Sequence, residues 1–178
     1  MRLDLSEIAK TPGMTAKVDI DVPCPKSLGF VCPTPVKGRM ELNNTGTLLL
    51  LTGRIKTEVQ VECSRCLADF TLPVETDMEE EFRVEKVGDA MRALPLEEDE
   101  VSAELVSAGN ILDVDELIRQ SLLVDLPIQP LCKPDCAGLC PTCGENLNMR
   151  KCQCEVDETE SPFKVLGELL SEDDEKNE

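Results

Sequence analysis

Alternation of apolar and polar residues dominates the first two thirds of the chain. Between 54 and 62, Ile55, Thr57, Val59 and Val61 alternate with charged or amide side chains. A period of two places successive side chains on opposite faces, so this segment predicts a β-strand with one buried face. The same reasoning predicts further strands, at 16–22, 36–42, 47–52, 68–74 and 78–84, with the turn sequence Asn43-Asn44-Thr45-Gly46 between two of them.

The alternation is interrupted at Cys63-Ser64-Arg65-Cys66 and resumes at Ala68. This predicts a hairpin whose two-residue connection sets the two cysteines opposite each other at its tip. Three interpretations stay open for them: half of a metal site, a redox pair or unligated thiols.

The period changes to that of a helix at Asp113. Val114, Leu117, Ile118 and Leu122 form one apolar stripe, and Asp113 is suited to cap a helix that Pro127 ends. We therefore predict a helix over 113–126 that packs on the sheet. A second, terminal helix is predicted at 161–170, where Ser161 precedes Pro162. Between the last of these strands and the first helix, residues 88–100 predict a polar connection and residues 101–106 predict another short strand.

Together these elements predict an α+β fold. It would comprise an antiparallel β-sheet or partly open barrel with one packing helix, a C-terminal cysteine-rich zinc-knuckle module and a terminal helix. The predicted division is an antiparallel β domain with its C-terminal helix at 1–130, a metal module at 131–154, and an acidic linker, short helix and disordered tail at 155–178.

Composition narrows the functional classes. The 178 residues include 36 acidic and 18 basic ones, for a net charge of -18, and no histidine. The absence of histidine excludes His-based triads and imidazole metal ligands. The negative field disfavours direct binding to nucleic acid and favours basic protein partners, although acidity can also serve solubility alone. The N-terminus lacks the apolar core of a signal peptide, which predicts a cytoplasmic, reduced protein.

Six cysteines occur between Leu131 and Cys154, spaced C-x3-C-x3-C-x2-C-x8-C-x-C. Two thiolates two residues apart can hold one metal ion, and Gly144 allows a tight turn that directs backbone N–H groups at the sulfur. A second nearby cysteine pair makes this a strong metal signal, with a disulfide framework as the competing interpretation. The preferred ligands of a structural zinc ion are Cys140, Cys143, Cys152 and Cys154. Cys132 and Cys136 would be free or would join Cys63 and Cys66 in a second site.

Such a site has all four positions filled by thiolates, so it predicts a structural and not a hydrolytic centre. An iron–sulfur cluster would use the same ligands, but the spacing does not match that of a ferredoxin. The module is also the least acidic part of the chain, with Lys133, Arg150 and Lys151 against Asp135 and Glu145. It is therefore the surface expected at any RNA contact, or else a structural clip for the C-terminal segments.

The motifs Cys63-Ser64-Arg65-Cys66-Leu67, Leu126-Pro127, Gly138-Leu139-Cys140, Cys143-Gly144-Glu145-Asn146-Leu147-Asn148 and Pro162-Phe163 resemble those of the YceD family. These are large ribosomal RNA subunit accumulation proteins, and the resemblance covers about 36–170. It implies a role in accumulating or processing large-subunit rRNA. Some family members lack the cysteines, which implies that the metal site is not their shared active feature. The proline-rich loop at 23–35, with Cys24 and Cys32, departs from the family pattern.

Two functional classes follow. The first is a non-enzymatic ribosome-biogenesis factor that binds a basic ribosomal or rRNA-processing protein, with any contact to pre-rRNA indirect and no membrane or small-molecule substrate. The second is a thiol-based redox protein using Cys63 and Cys66, for which Arg65 could lower a thiol pKa. A metal-dependent nuclease is disfavoured because the acidic residues lie in runs typical of solvated faces.

Overall fold

The computed structural model describes residues 1–95, 105–107 and 109–154. Their elements, in chain order, are β1 (Arg2–Asp4), α1 (Ser6–Lys10), β2 (Thr15–Val22), a 3-10 turn (Lys26–Leu28), β3 (Val36–Asn44), β4 (Leu48–Glu62), β5 (Asp69–Val87), β6 (Ala90–Pro95), β7 (Ile111–Asp113) and α2 (Val114–Asp125). The described part of the protein is therefore mostly antiparallel sheet with few helices.

The main sheet is an antiparallel meander of five strands in the order β2-β3-β4-β5-β6. Its longest pairing joins β4 to β5, from Leu48 opposite Arg83 to Glu62 opposite Asp69. A second sheet has two strands, β1 and β7. Both described sheets are open, so the barrel alternative of the sequence prediction is not seen in them.

The alternation seen in the sequence separates the two faces of the main sheet. Met40, Leu51, Ile55, Val59 and Phe82 are buried on one face. The other face carries cross-strand ion pairs, which join Arg39 to Asp19, Lys37 to Asp21, Arg54 to Asp77 and Lys56 to Glu75. Opposite charges on neighbouring strands stabilise a solvated sheet face only modestly, so burial of the aliphatic face supplies most of the stability.

Helix α2 begins as predicted, because Asp113 accepts hydrogen bonds from the backbone N–H groups of Asp115 and Glu116 at 3.1 and 3.3 Å. Val114, Leu117, Ile118 and Leu122 are its buried residues. The helix contacts β5, which confirms the prediction that it packs on the sheet.

Several predictions about local structure were wrong. The strands predicted at 47–52 and 54–62 are one strand, β4, because Gly53 leaves the pairing with β3 and β5 unbroken. Residues 90–95 form β6 where a polar connection was predicted. The hairpin connection is longer than two residues, since β4 ends at Glu62 and β5 begins at Asp69.

Asn44 was predicted in a turn and instead ends β3 as a fully buried residue. Its side-chain amide donates to the backbone carbonyl oxygens of Ile8 and Ala9 at 2.6 and 3.2 Å, and its Oδ1 accepts from the Gly46 N–H at 2.7 Å. These bonds attach α1, which the sequence did not reveal, to the end of β3. Burial is tolerated because the amide is hydrogen-bonded.

The chain divides into two compact units. The first comprises Met1–Ser64 with Ala68–Cys132, and the second comprises Arg65–Leu67 with the residues from Lys133 onward. The predicted terminal helix and tail lie outside the described residues, as does most of a short strand expected at 101–106, of which Val106 forms a bridge to Leu112. No helix in the described part of the chain is long and apolar enough to span a lipid bilayer.

Candidate metal centre

The loop around Cys140 is shaped by short backbone hydrogen bonds. The Gly144 N–H donates to the Cys140 carbonyl at 2.9 Å, and the Cys140 N–H donates to the Glu145 carbonyl at 2.8 Å. Gly144 has φ +72°, a left-handed conformation that glycine adopts without strain. The sequence thus folds Cys140 and Cys143 onto one side of a tight turn, as the C-x2-C spacing predicts.

The structure brings together Cys140, Cys143, Cys152 and Cys154. Their four sulfur atoms lie within 4.8 Å of one another. Four thiolates around a tetrahedral zinc ion at ~2.3 Å would be ~3.8 Å apart, so a small contraction would suffice to bind the ion. The preferred ligand set therefore has a suitable arrangement, and its occupancy by zinc stays a prediction.

The protonation of these thiols reflects their crowding. The backbone N–H groups of Cys143 and Thr142, followed by the Cys152 side chain, lower the pKa of Cys140 to about 6. Hydrogen bonding to the Cys143 sulfur, followed by burial, raises the pKa of Cys154 to about 12. Without a cation, a thiolate at Cys140 disfavours ionisation of Cys152 and Cys154 and raises the pKa of each, because adjacent negative sulfurs repel. A bound divalent cation would remove that repulsion, so the donor set fits a metal.

The tight turn directs backbone N–H groups at the Cys140 sulfur, as the sequence predicts. The N–H groups that reach the Cys140 sulfur belong to Thr142 and Cys143. The N–H of Gly144 instead reaches the Cys140 carbonyl. Gly144 therefore shapes the turn, whereas its two predecessors supply the N–H groups.

A second group of four sulfur atoms, also within 4.8 Å of one another, belongs to Cys63, Cys66, Cys132 and Cys136. Cys63, Cys66 and Cys136 are buried. Of the alternatives left open by the sequence, this arrangement matches the second four-cysteine site. The described residues thus contain two clusters, each able to hold a metal ion through sulfur alone.

Two polar side chains position Cys136. From the sequence, Asn148 was assigned no role and Arg65 only that of lowering a thiol pKa. The Asn148 side-chain amide donates to the Cys136 sulfur at 3.2 Å, and the Asn148 Oδ1 accepts from the Ala137 N–H at 2.9 Å. The Arg65 guanidinium donates to the Cys136 carbonyl oxygen at 3.0 Å. Hydrogen bonds to a ligand sulfur and its loop orient the ligand. The sequence signal that could have identified Arg65 and Asn148 is their position within the cysteine motifs.

The close approach of Arg65 also explains Gly138. This residue has φ +75°, and a Cβ added there would lie 3.1 Å from the Arg65 carbonyl oxygen. Leu67, two residues beyond Arg65, takes φ +55° to close its loop, a conformation that costs a non-glycine residue about 1–3 kcal/mol. The loops that carry Cys66 and Cys136 are therefore specified by close backbone contact.

Cys24 and Cys32 do not join either cluster. Their sulfur atoms form a disulfide that closes the proline-rich loop, and both side chains pack against the hydrophobic core. The predicted reduced state of the protein was wrong for this pair. The turn at Lys26–Leu28 and the bridge between Val31 and Gln60 bring the two cysteines together.

Burial weighs against the redox interpretation of Cys63 and Cys66. Their exposed fractions are 0% and 5%. Thiol exchange requires access of a second thiol or disulfide to the reacting sulfur. The geometry is better suited to metal binding, which needs no access once the ion is bound.

Comparison with known proteins identifies the family. Residues 51–170 match the family described as "Large ribosomal RNA subunit accumulation protein YceD". The chain belongs to the YceD family. The family description points to a role in accumulation of the large ribosomal RNA subunit. The matched range includes most of β4, all of β5 and α2, and all eight clustered cysteines.

Relatives of this chain occur in bacteria and plants. An uncharacterised protein of Mycobacterium bovis is 27% identical over 149 residues, which are 81% of this chain and 69% of the relative. The "Large ribosomal RNA subunit accumulation protein YCED homolog 1, chloroplastic" of Zea mays is 27% identical over 150 residues, 72% of this chain and 51% of the relative. The Arabidopsis thaliana protein of the same name is 36% identical over 58 residues, 33% of this chain and 18% of the relative. No solved structure matches the chain.

Proposed function

We propose that this YceD-family protein is a non-enzymatic ribosome-biogenesis factor that supports large-subunit rRNA accumulation by binding a basic ribosomal or rRNA-processing protein. The observation that carries the proposal is the family match over 51–170. In this proposal the protein acts as an acidic adaptor in the cytoplasm, and contact with pre-rRNA is indirect.

The charge of the protein supports a basic protein partner. The net charge of -18 repels phosphates and attracts cationic surfaces over about a Debye length, ~8 Å at physiological salt. Ribosomal proteins are basic because they bind RNA, so an acidic protein can bind them before they meet rRNA. Binding of this kind is expected to weaken as salt rises.

Both cysteine clusters have a structural role in this proposal, with zinc as their metal. Thiolates are soft ligands that suit zinc, and a site of four protein ligands leaves no position for substrate or water. The residues that would hold the ions are Cys140, Cys143, Cys152 and Cys154 in one cluster and Cys63, Cys66, Cys132 and Cys136 in the other. Zinc would stabilise the loops that carry these cysteines.

The decisive experiment combines rRNA analysis with partner capture. A strain from which the gene is deleted should contain less large-subunit rRNA relative to small-subunit rRNA, and the intact gene should restore the ratio. Tagged protein should retain one or a few basic proteins after nuclease treatment of the lysate. An unchanged rRNA ratio would overturn the proposed role. Loss of every bound protein with the RNA would overturn the adaptor mechanism.

A further inference from the structure

Among the residues that the structure describes, one edge of β5 has no strand beside it over much of its length. β4 pairs with β5 along Asp69–Arg83, whereas β6 pairs only from Phe82 to Val87. In the part of the chain that the structure describes, Asp69–Glu81 therefore has a strand neighbour on one side only. An open strand edge presents unpaired backbone donors and acceptors to any extended chain that reaches it.

The pairing pattern tells which residues direct their backbone to this edge. The Gln60 N–H donates to the Val31 carbonyl at 2.8 Å, so the Gln60 backbone faces away from β5. Its opposite residue, Thr71, then faces away from β4. Backbone direction alternates along a strand, so every second residue of β5 after Thr71 also faces away from β4. The backbone groups of Pro73, Glu75, Asp77 and Glu79 therefore lie at the open edge. Pro73 fits this assignment because proline has no N–H and occurs on strand edges.

A groove of about 660 Å³ runs between this edge and helix α2. Glu75, Asp77 and Glu79 lie along its strand side. Leu123 and Val124 lie along its helix side, with exposed fractions of 39% and 84%. The other helix residues along it are polar: Arg119, which pairs with Glu116, and Gln120, Ser121 and Asp125. The groove thus joins an acidic strand to a helix side of mixed polarity on which Leu123 and Val124 are exposed, and both walls belong to the same compact unit.

The strand wall carries negative charge that the sheet leaves unbalanced. Glu75 and Asp77 are paired with Lys56 and Arg54 of β4. Glu79 instead lies opposite Thr52, and Glu81 lies opposite Leu50. Neither of these two glutamates forms an ion pair with the described residues. An occupant with cations at alternate positions would neutralise them.

We propose that this groove, named here the β5 edge groove, binds an extended basic segment of the partner protein as an added strand. Alternate side chains of the segment would be lysine or arginine and would face Glu79 and Glu81. The intervening side chains would be apolar and would contact Leu123 and Val124. Backbone pairing supplies affinity and the alternate side chains supply specificity. This inference rests on the proposed function and specifies where and in what form the basic protein binds.

Charge disfavours two other occupants. A second copy of the chain would bring its own acidic edge against Glu79 and Glu81, and like charges on opposed strands are destabilising. The chain's own residues 96–104 read LEEDEVSAE, with acidic residues and no basic one. The same repulsion applies to them, so a basic segment is the favoured occupant.

The test uses the full-length protein and a short fluorescent peptide that alternates lysine and valine. Two control peptides have the same composition. One groups its lysines and valines into separate blocks, and the other carries N-methyl groups at alternate amides, which prevent strand pairing. Only the alternating peptide should bind by fluorescence anisotropy, with each control at least roughly tenfold weaker. Hydrogen exchange should slow at the amides of Glu75, Asp77 and Glu79 when it binds.

Matched charge reversals separate this groove from general acidity. Glu79→Lys with Glu81→Lys should weaken peptide binding at least roughly tenfold. The control variant combines Glu7→Lys and Glu62→Lys, the same change at exposed sites on α1 and at the end of β4. Its affinity for the peptide should stay within about twofold of the wild type. Equal loss in both double variants, equal binding of all three peptides, or protection confined to other amides would overturn the groove assignment. So would unchanged binding by the Glu79 and Glu81 variant.

Capture from lysate distinguishes failure of this inference from failure of the proposed function. If the wild type retains a basic protein after nuclease treatment and the Glu79→Lys, Glu81→Lys variant retains as much, the adaptor function stands and the groove assignment is wrong. If the wild type retains none, the adaptor proposal fails together with the inference. Selective loss in the variant supports both.

Discussion

In the first compact unit the side chains of Leu51, Ile55 and Phe82 are at most 1% exposed, whereas the described buried residues at 133–154 are Cys136, Gly138 and Cys140. The first unit has an aliphatic core behind an ion-paired sheet face. The described residues of the second, 65–67 and 133–154, have sulfur atoms, tight turns and asparagine hydrogen bonds in place of an aliphatic core. A segment without buried aliphatic side chains gains little from the hydrophobic effect, so its order depends on local bonds and on a metal.

The largest expected effect is that of removing the metal ligands of the second unit. Cys140→Ser with Cys143→Ser should lower bound zinc by about one ion per chain and should unfold the 140–154 loop, because metal binding to such sites is worth ~10–16 kcal/mol. Elemental analysis and amide NMR spectra would measure both effects. Signals from β2–β6 should persist.

The matched control for that experiment is Cys24→Ser with Cys32→Ser, which makes the same chemical change at the disulfide outside both clusters. It should leave the zinc content unchanged. A 140–154 loop that keeps its dispersed NMR signals after complete metal removal would contradict the comparison between the two units.

The converse experiment weakens the aliphatic core. Phe82 is 1% exposed, and Phe82→Ala should lower the free energy of unfolding by about 3–5 kcal/mol because it leaves a cavity. Denaturant titration would measure the loss, with Thr52→Ala on the exposed face as a control expected within about 0.5 kcal/mol. Zinc content should not change while the sheet remains folded. Loss of zinc under those conditions would show that the clusters depend on the core.

A smaller effect is expected where strands pass close together. A Cβ at Gly38 would lie 2.1 Å from the Arg54 carbonyl oxygen and 2.8 Å from the Ile55 Cα, so the backbone must shift. We expect Gly38→Ala to lower the free energy of unfolding by about 1–3 kcal/mol. Gly109→Ala is the control, since its nearest neighbour would be 3.8 Å away and its φ is not positive. Equal stability of both variants by thermal unfolding would refute the packing argument.

The smallest expected effect concerns the N-terminal cap of helix α2. Asp113→Ala removes the cap of α2 and should lower the free energy of unfolding by about 1 kcal/mol. Asp113→Asn retains an oxygen acceptor, so its free energy of unfolding should stay close to that of the wild type. Chemical denaturation of both variants measures the difference. A loss of similar size in both would assign the effect to charge and not to the cap.

The sequence could predict the strands, the capped helix and one cysteine cluster because each depends on nearby residues. Alternation identifies the buried face of β4, and Asp113 precedes its helix directly. Cys140 and Cys143 are close enough in sequence to share one turn. The prediction failed at Ala90–Pro95, where pairing with β5 makes a strand of a segment that lacks a clear alternating pattern.

Tertiary structure alone decided the features that join distant residues. It buried Asn44 beneath α1 and formed the bond between Cys24 and Cys32. It grouped Cys63 and Cys66 with Cys132 and Cys136, which the sequence left as one of several alternatives. It also left the β5 edge beside an exposed helix face. Sequence patterns report the local period and chemistry of a segment, whereas such arrangements depend on which segments the fold brings together.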